Sequence, residues 1–122
     1  MYKPTFLFVS DDHVYSHCLL CAFQDAGYEV AITSSPLQAI ALLFVMHSVA
    51  AVVIDQRASE HANLELPRHL RAIRPNVPII LLSREQIGRL PACLDACVTG
   101  EEPMNGLISA LQGITDGFKA AA

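Results

Sequence analysis

The stretch that decides the fold runs from Val49 to Arg57 and reads VAAVVIDQR. Its apolar part has no polar alternation, which is typical of a strand buried on both faces of a parallel sheet. The run ends at a single carboxylate, Asp55. In parallel sheets, ligands and chemistry lie just beyond the carboxyl ends of the strands. Asp55 therefore stands where a functional group is expected.

Length and composition set the broad class of the protein. The 122 residues are 52% apolar and 16% charged, which predicts one globular domain over 1–122 with a tail that frays from about residue 117. The net charge is -4 and lysine occurs only at Lys3 and Lys119, so we expect no direct contact with nucleic acid. The sequence shows no secretory signal pattern and no apolar run long enough to cross a bilayer. We therefore expect a cytoplasmic protein without membrane contact.

Short apolar runs alternate with amphipathic stretches along the chain. The predicted strands are 5–9, 28–33, 49–55, 77–82 and 96–99, and the predicted helices are 13–26, 35–47, 65–74 and 104–114. Between the last two strands, Gly88 and Pro91 predict a short or broken helix. This alternation predicts an α/β fold, a doubly wound five-stranded parallel sheet with helices on both faces.

The second predicted helix is unusually apolar. Ser35 and Gln38 form a capping box at its start, and no other polar side chain follows before residue 47. We expect Leu37, Ile40 or Ala41, and Phe44 to face the sheet. The remaining apolar side chains would then form a surface for a second copy of the chain or for a partner protein, unless the helix is rotated or neighbouring side chains cover them. They are Ala39, Leu42, Val45 and Met46.

Four cysteines raise the alternative of a zinc site. They are Cys18, Cys21, Cys93 and Cys97. A zinc site would require the two pairs to converge, with glycine-rich turns that are not apparent here. We interpret the cysteines as small buried thiols in a reducing compartment.

Three strand ends carry polar side chains to the same edge of the predicted sheet. Ser10, Asp11 and Asp12 follow the first strand, Asp55 ends the third, and Ser83 ends the fourth. Carboxylates that converge in this way suit a hard divalent cation such as Mg²⁺. An aspartate beside such a cation is a candidate phosphoryl acceptor, and a nearby hydroxyl can hold a phosphoryl oxygen.

These motifs resemble the receiver domain of two-component response regulators, a CheY-like, flavodoxin-like fold, over nearly the whole chain. The resemblance lies in FLFVSDD with a helix ending in AGYEV, in VVIDQR, and in LRAIRPNVPIILLS. It implies that Asp55 accepts a phosphoryl group from a sensor histidine kinase or another phosphodonor, with Ser83 as the switch hydroxyl. It implies a weak Mg²⁺ site formed by Asp11, Asp55 and the backbone carbonyl of Arg57, with Asp12 as a further candidate ligand. Such a domain is no enzyme beyond catalysing its own phosphorylation and dephosphorylation.

The sequence also departs from the pattern of that family. Ser10 stands where the family usually has its first acid. The lysine after the fifth strand is missing, with Gly100 or Glu102 in its place, and Cys97 or Thr99 replaces the aromatic switch residue. These departures leave open an alternative, a phosphorylation-independent pseudo-receiver that acts as a protein–protein interaction module.

Overall fold

The computed structural model of the protein describes residues 4–46, 48–58, 63–84, 88–99, 107–109 and 111–113. The elements in chain order are β1 (Thr5–Val9), α1 (His13–Asp25), β2 (Glu29–Thr33), α2 (Pro36–Val45), β3 (Val49–Asp55), α3 (Glu65–Ile73), β4 (Ile79–Ser83) and β5 (Ala96–Thr99). Residues 107–109 and 111–113 are also helical. The remainder of the predicted last helix and the tail from residue 117 lie outside the described residues. The predicted alternation of strands and helices is confirmed.

The five strands form one parallel sheet in the order β2-β1-β3-β4-β5. The predicted doubly wound sheet is therefore confirmed, with β3 in its centre. In the register of β1 and β3, Val9 pairs with Ile54. Ser10 follows Val9 and Asp55 follows Ile54, so these two candidate site residues lie side by side.

Both faces of the sheet are covered, which explains why β3 shows no alternation of polar and apolar residues. Val52 and Val53 are successive residues of β3, so they point to opposite faces, yet both are almost completely buried. Val52 belongs to a core cluster that includes Leu43 of α2 and Leu70 of α3. Val53 belongs to a second cluster that includes residues of α1 and of the C-terminal helical segment; they are Leu19, Phe23, Leu107 and Leu111.

The helix ends follow the sequence closely. The Ser35 hydroxyl accepts a hydrogen bond from the Gln38 backbone N–H at 3.2 Å, as the predicted N-cap requires. The Gln38 side chain does not complete the capping box, since it pairs with the Thr33 hydroxyl instead. Gly27 follows α1 with a φ of 89°, a left-handed conformation that glycine adopts at little cost.

The orientation predicted for α2 is wrong. Ala39 and Leu43 are completely buried. Leu37 and Phe44, which were expected to face the sheet, are 79% and 70% exposed, and Ala41 is exposed as well. Ile40 does pack partly against the core, as predicted. The helix is therefore rotated about its axis relative to the sequence-based expectation.

The surface expected for a second copy or a partner changes as a consequence. Of its four residues, Val45 is 64% exposed, whereas Ala39 is buried and Leu42 and Met46 pack partly against the core. An α-helix whose side chains are almost all apolar has no polar face to fix its rotation. The fit of the small Ala39 and of Leu43 against the sheet decides the rotation, and the sequence pattern carries no such information.

The cysteine interpretation holds only in part. Cys93 is buried and Cys97 is partly buried, but Cys18 and Cys21 are exposed on α1. The side chains of α1 that are buried are Ser16, Leu19 and Phe23. Among the described residues, no helix is both long and apolar enough to span a membrane.

Candidate functional site

Asp55 ends the central strand and lies almost completely inside the protein, with 5% of its side chain exposed. Its neighbour Ser10 follows β1, and the Ser10 hydroxyl donates a hydrogen bond of 2.8 Å to Asp55 Oδ2. The contact follows directly from the register of the two strands, because Val9 pairs with Ile54. The sequence thus predicted correctly that these two residues meet.

Within the described part of the chain, three further hydrogen bonds to the Asp55 side chain come from Arg57. Its side chain forms two parallel bonds of 2.8 Å, from Nε to Oδ1 and from Nη2 to Oδ2. Its backbone N–H donates to Oδ1 at 3.1 Å. A carboxylate offers about four acceptor positions, two on each oxygen. Ser10 and Arg57 together occupy two positions on each oxygen of Asp55.

The electrostatics of Asp55 reflect these contacts. Burial by itself would raise the pKa of the Asp55 carboxyl, because it disfavours the charged form. The hydrogen bonds from the Arg57 side chain and backbone and from Ser10 outweigh burial, so the pKa of Asp55 lies below its ordinary value. The bond to Asp55 also raises the pKa of Arg57. Asp55 is therefore a carboxylate with its counterion already in place.

Arg57 is itself held on its other side. Its guanidinium carbon lies 3.9 Å from the centre of the Tyr15 ring, a cation–π contact. Its Nη2 atom also lies 3.4 Å from Asp12 Oδ2. Tyr15 in turn is partly buried, and burial raises the pKa of its hydroxyl to about 12. Asp55, Asp12 and Tyr15 thus fix the guanidinium from three directions.

Asp12 has a structural task that the sequence analysis did not assign. Its Oδ1 accepts a hydrogen bond of 3.0 Å from the Tyr15 backbone N–H, which makes Asp12 the N-cap of α1. The Ser10 hydroxyl accepts a bond of 3.1 Å from the Asp12 backbone N–H. An aspartate directly before a helical stretch is a common N-cap signal, so this role could have been predicted from the sequence.

Comparison with known proteins supplies the context for this geometry. No family model matches the chain, and no curated protein matches it. Solved structures do. Over 99% of its length, the chain is similar to all of a CheY-like response regulator receiver domain protein from Methanospirillum hungatei, with a TM-score of 0.84 and 17% identity. The chain has the receiver fold.

Two further receiver domains are similar to this chain. The receiver domain of TorR, the response regulator of the TMAO respiratory system, matches with a TM-score of 0.78 and 25% identity, over 93% of this chain and 97% of that one. The receiver domain of a sensor histidine kinase from Pseudomonas aeruginosa matches with a TM-score of 0.76 and 21% identity, over 91% and 96%. The latter holds a magnesium ion in its active-site cleft.

The remaining predicted site residues lie around the same edge of the receiver fold. Asp11 is exposed, and it lines a recess of about 250 Å³ together with Asp12, Asp55, Arg57 and Arg84. Ser83 is buried at the end of β4, next to Leu82, which pairs with Asp55. The candidate positions for the absent lysine, 100 and 102, lie outside the described residues.

The side chains in this arrangement do not fit a magnesium ion bound directly to Asp55. All four acceptor positions of Asp55 are used, and Asp12 is engaged by the α1 N-cap on one oxygen and by Arg57 on the other. The described part of the chain contains no group of three or more His, Cys, Asp or Glu side chains that could hold a metal. The metal site expected from the sequence stays a prediction, and it requires Arg57 to move.

Proposed function

We propose that this chain acts as a receiver domain in a two-component phosphorelay, with Asp55 as the phosphoryl acceptor. The observation that carries this proposal is the position of Asp55, a carboxylate at the carboxyl end of the central strand of a receiver fold. An aspartate is ionised near neutral pH, and the contacts of Asp55 lower its pKa further; the ionised form is the one that can attack phosphorus. A cytoplasmic location fits this function and belongs to the proposal.

The proposed reaction is a transfer between two nucleophiles. One oxygen of Asp55 forms a new bond to phosphorus, while the phosphorus–nitrogen bond of a phosphohistidine on a sensor kinase breaks. The electron pair of the broken bond stays on the imidazole nitrogen, and the product is an acyl phosphate on Asp55. Small acyl phosphates can serve as donors in the same way, with a carboxylate as the leaving group. In this proposal the protein catalyses only its own phosphorylation and dephosphorylation and acts as a signalling domain.

The other residues have supporting roles. The Ser83 hydroxyl, at the end of the neighbouring strand, is the proposed contact for a phosphoryl oxygen. No lysine or arginine occurs between Arg89 and Lys119, so the positive charge that the family places after its fifth strand is missing from that part of the sequence. Charge-assisted hydrogen bonds of this kind are typically worth about 1.5–3 kcal/mol. We therefore expect phosphorylation to be slow.

The test is incubation with acetyl phosphate and Mg²⁺, followed by intact-mass measurement over a long time course. We expect the wild type to gain the mass of one phosphoryl group slowly and Asp55→Asn to gain none. Labelling of Asp55→Asn to the same extent would contradict the assignment of the acceptor. A second variant, Arg57→Met, removes the guanidinium that contacts Asp55. If the wild type and Arg57→Met both stay unlabelled, phosphoryl transfer to Asp55 is refuted, and the alternative is a phosphorylation-independent interaction module.

A contact with a second copy or with a partner protein stays a prediction. After the correction for the rotation of α2, the exposed large apolar side chains of this helix are Leu37, Phe44 and Val45. Light scattering across a concentration series, on wild type and on Phe44→Glu, tests self-association. If both proteins stay monomeric and equally soluble, the homodimer is excluded.

A further inference from the structure

The arginine at the site supplies a positive charge where similar receivers use a metal. The receiver domain from Pseudomonas aeruginosa holds magnesium in its active-site cleft. In this chain, the guanidinium of Arg57 lies against both oxygens of Asp55 at 2.8 Å. The arginine lies in the turn that follows β3, two residues after the acceptor, so it can reach Asp55 without any change in the fold.

The guanidinium is also pre-organised for this position. Bidentate pairs of arginine and carboxylate have a defined geometry and are among the stronger contacts in proteins. Here the plane of the guanidinium is supported by the Tyr15 ring and its outer nitrogen is paired with Asp12. Since only 21% of the Arg57 side chain is exposed, water competes weakly for these contacts. Arg57 would have to give up several contacts at once before another cation could replace it.

We propose that Arg57 is a built-in cation that takes the place of the divalent metal at Asp55 and keeps the acceptor closed. This inference rests on the proposed function, because it describes how access to the acceptor is controlled. In the resting state, a phosphoryl donor or a metal meets a carboxylate whose four acceptor positions are filled. The acceptor opens when the guanidinium swings away from Asp55, and the backbone carbonyl of Arg57 stays in place.

If Arg57 blocks the site, the affinity of Asp55 for a divalent metal should rise when the guanidinium is removed, and this can be measured without any phosphoryl transfer. The probe is Mn²⁺, titrated into isotopically labelled protein while the broadening of backbone amide signals near Asp55 is followed by NMR. The test variant is Arg57→Met, because methionine fills much of the volume of the arginine stem and can still pack on Tyr15. The substitution leaves the backbone carbonyl unchanged.

The matched control is Arg84→Met. Arg84 lines the same recess and is exposed, so this variant removes the same formal charge from the same surroundings. We expect Arg57→Met to bind Mn²⁺ at least about tenfold more tightly than wild type, because a whole cation no longer has to be displaced. We expect Arg84→Met to stay within about twofold of wild type, because an exposed charge contributes little.

Three results would overturn the inference. In the first, wild type binds Mn²⁺ as tightly as Arg57→Met. In the second, Arg84→Met gains as much affinity for Mn²⁺ as Arg57→Met does. In the third, Arg57→Met binds no Mn²⁺ at all. If Arg57→Met does not fold, Arg57→Gln takes its place, since glutamine also removes the positive charge, and the same gain in Mn²⁺ affinity is expected. The wild type alone is also decisive, because strong binding centred on the Asp55 amide excludes a closed acceptor.

The same variants separate this inference from the proposed function. Labelling with acetyl phosphate and Mg²⁺ should be faster for Arg57→Met than for wild type. If Arg57→Met gains metal affinity but stays unlabelled, Arg57 does close the site and Asp55 is not a phosphoryl acceptor. If both proteins are labelled at the same rate with the same metal affinity, Asp55 is the acceptor and the closing role of Arg57 is refuted.

Discussion

Two neighbouring residues of α2, Leu43 and Phe44, give a direct test of how this helix lies on the sheet. Leu43 is completely buried and Phe44 is 70% exposed. Leu43→Ala removes three carbon atoms from the core, worth about 2.4 kcal/mol at roughly 0.8 kcal/mol for each. The cavity left behind raises the expected loss in free energy of unfolding to about 2.5–4 kcal/mol. Phe44→Ala removes a larger side chain but opens no cavity, so we expect a loss below about 0.5 kcal/mol.

Urea denaturation followed by circular dichroism measures both effects. For a slope of about 1.5 kcal/mol per molar urea, the midpoint should fall by roughly 2 M for Leu43→Ala and by less than about 0.4 M for Phe44→Ala. The slope itself should stay constant, because neither change alters how much surface unfolding exposes. If Phe44→Ala costs as much as Leu43→Ala, the rotation of α2 described above is incorrect and the sequence-based orientation would be restored.

Two further predictions concern side chains outside the sheet core. Asp95 accepts hydrogen bonds from the Ile79 backbone N–H at 2.8 Å and from Arg71. Asp95→Ala should therefore lower the free energy of unfolding, measured in urea, by about 1–2 kcal/mol. Asp95→Asn keeps an acceptor and the side chain is 45% exposed, so this variant should lower it by about 0.5 kcal/mol or less. The buried hydroxyl of Tyr15 has no hydrogen-bond partner among the described residues, so Tyr15→Phe should change stability at neutral pH by less than about 0.5 kcal/mol. The pKa of Tyr15 is raised from 10.0 to about 12, so its neutral form is favoured in the native state. The wild type should therefore lose stability as the pH rises from 10 toward 12. A loss of equal size in Tyr15→Phe would contradict the raised pKa of Tyr15.

The fold could be predicted from the sequence because the strands have a simple physical signature. A central strand of a parallel sheet is covered on both faces, so its side chains are all apolar, and β3 shows this from Val49 to Ile54. The predicted bounds of β1 and β5 agree with the structure, and those of β2 and β4 differ by one or two residues. Local capping signals such as Ser35 and Gly27 were read correctly for the same reason, since each depends on its immediate neighbours.

The rotation of α2 could not be predicted because it depends on packing between elements. The pattern of Leu37, Ile40 and Phe44 describes an apolar stripe, but the stripe of Ala39 and Leu43 is equally apolar. Nothing in the local sequence distinguishes the two. The choice depends on packing against the sheet, where Ala39 and Leu43 are buried in the same core cluster as Leu7 and Val52. Such information becomes available only when all the partners are in place.

The role of Arg57 differs from that of α2, because the sequence did contain its signal. Aspartate commonly accepts the backbone N–H of the residue two positions further on, and Asp55 does so with Arg57 in the turn after β3, which places the Arg57 side chain beside the carboxylate. The resemblance to receiver domains implies a role only for the backbone carbonyl of Arg57, as a metal ligand. The side chain gives the site a different charge balance. Asp55 and Arg57 together carry no net charge, whereas a carboxylate alone attracts a divalent cation. A divalent cation that binds Asp55 directly must therefore displace the Arg57 guanidinium first.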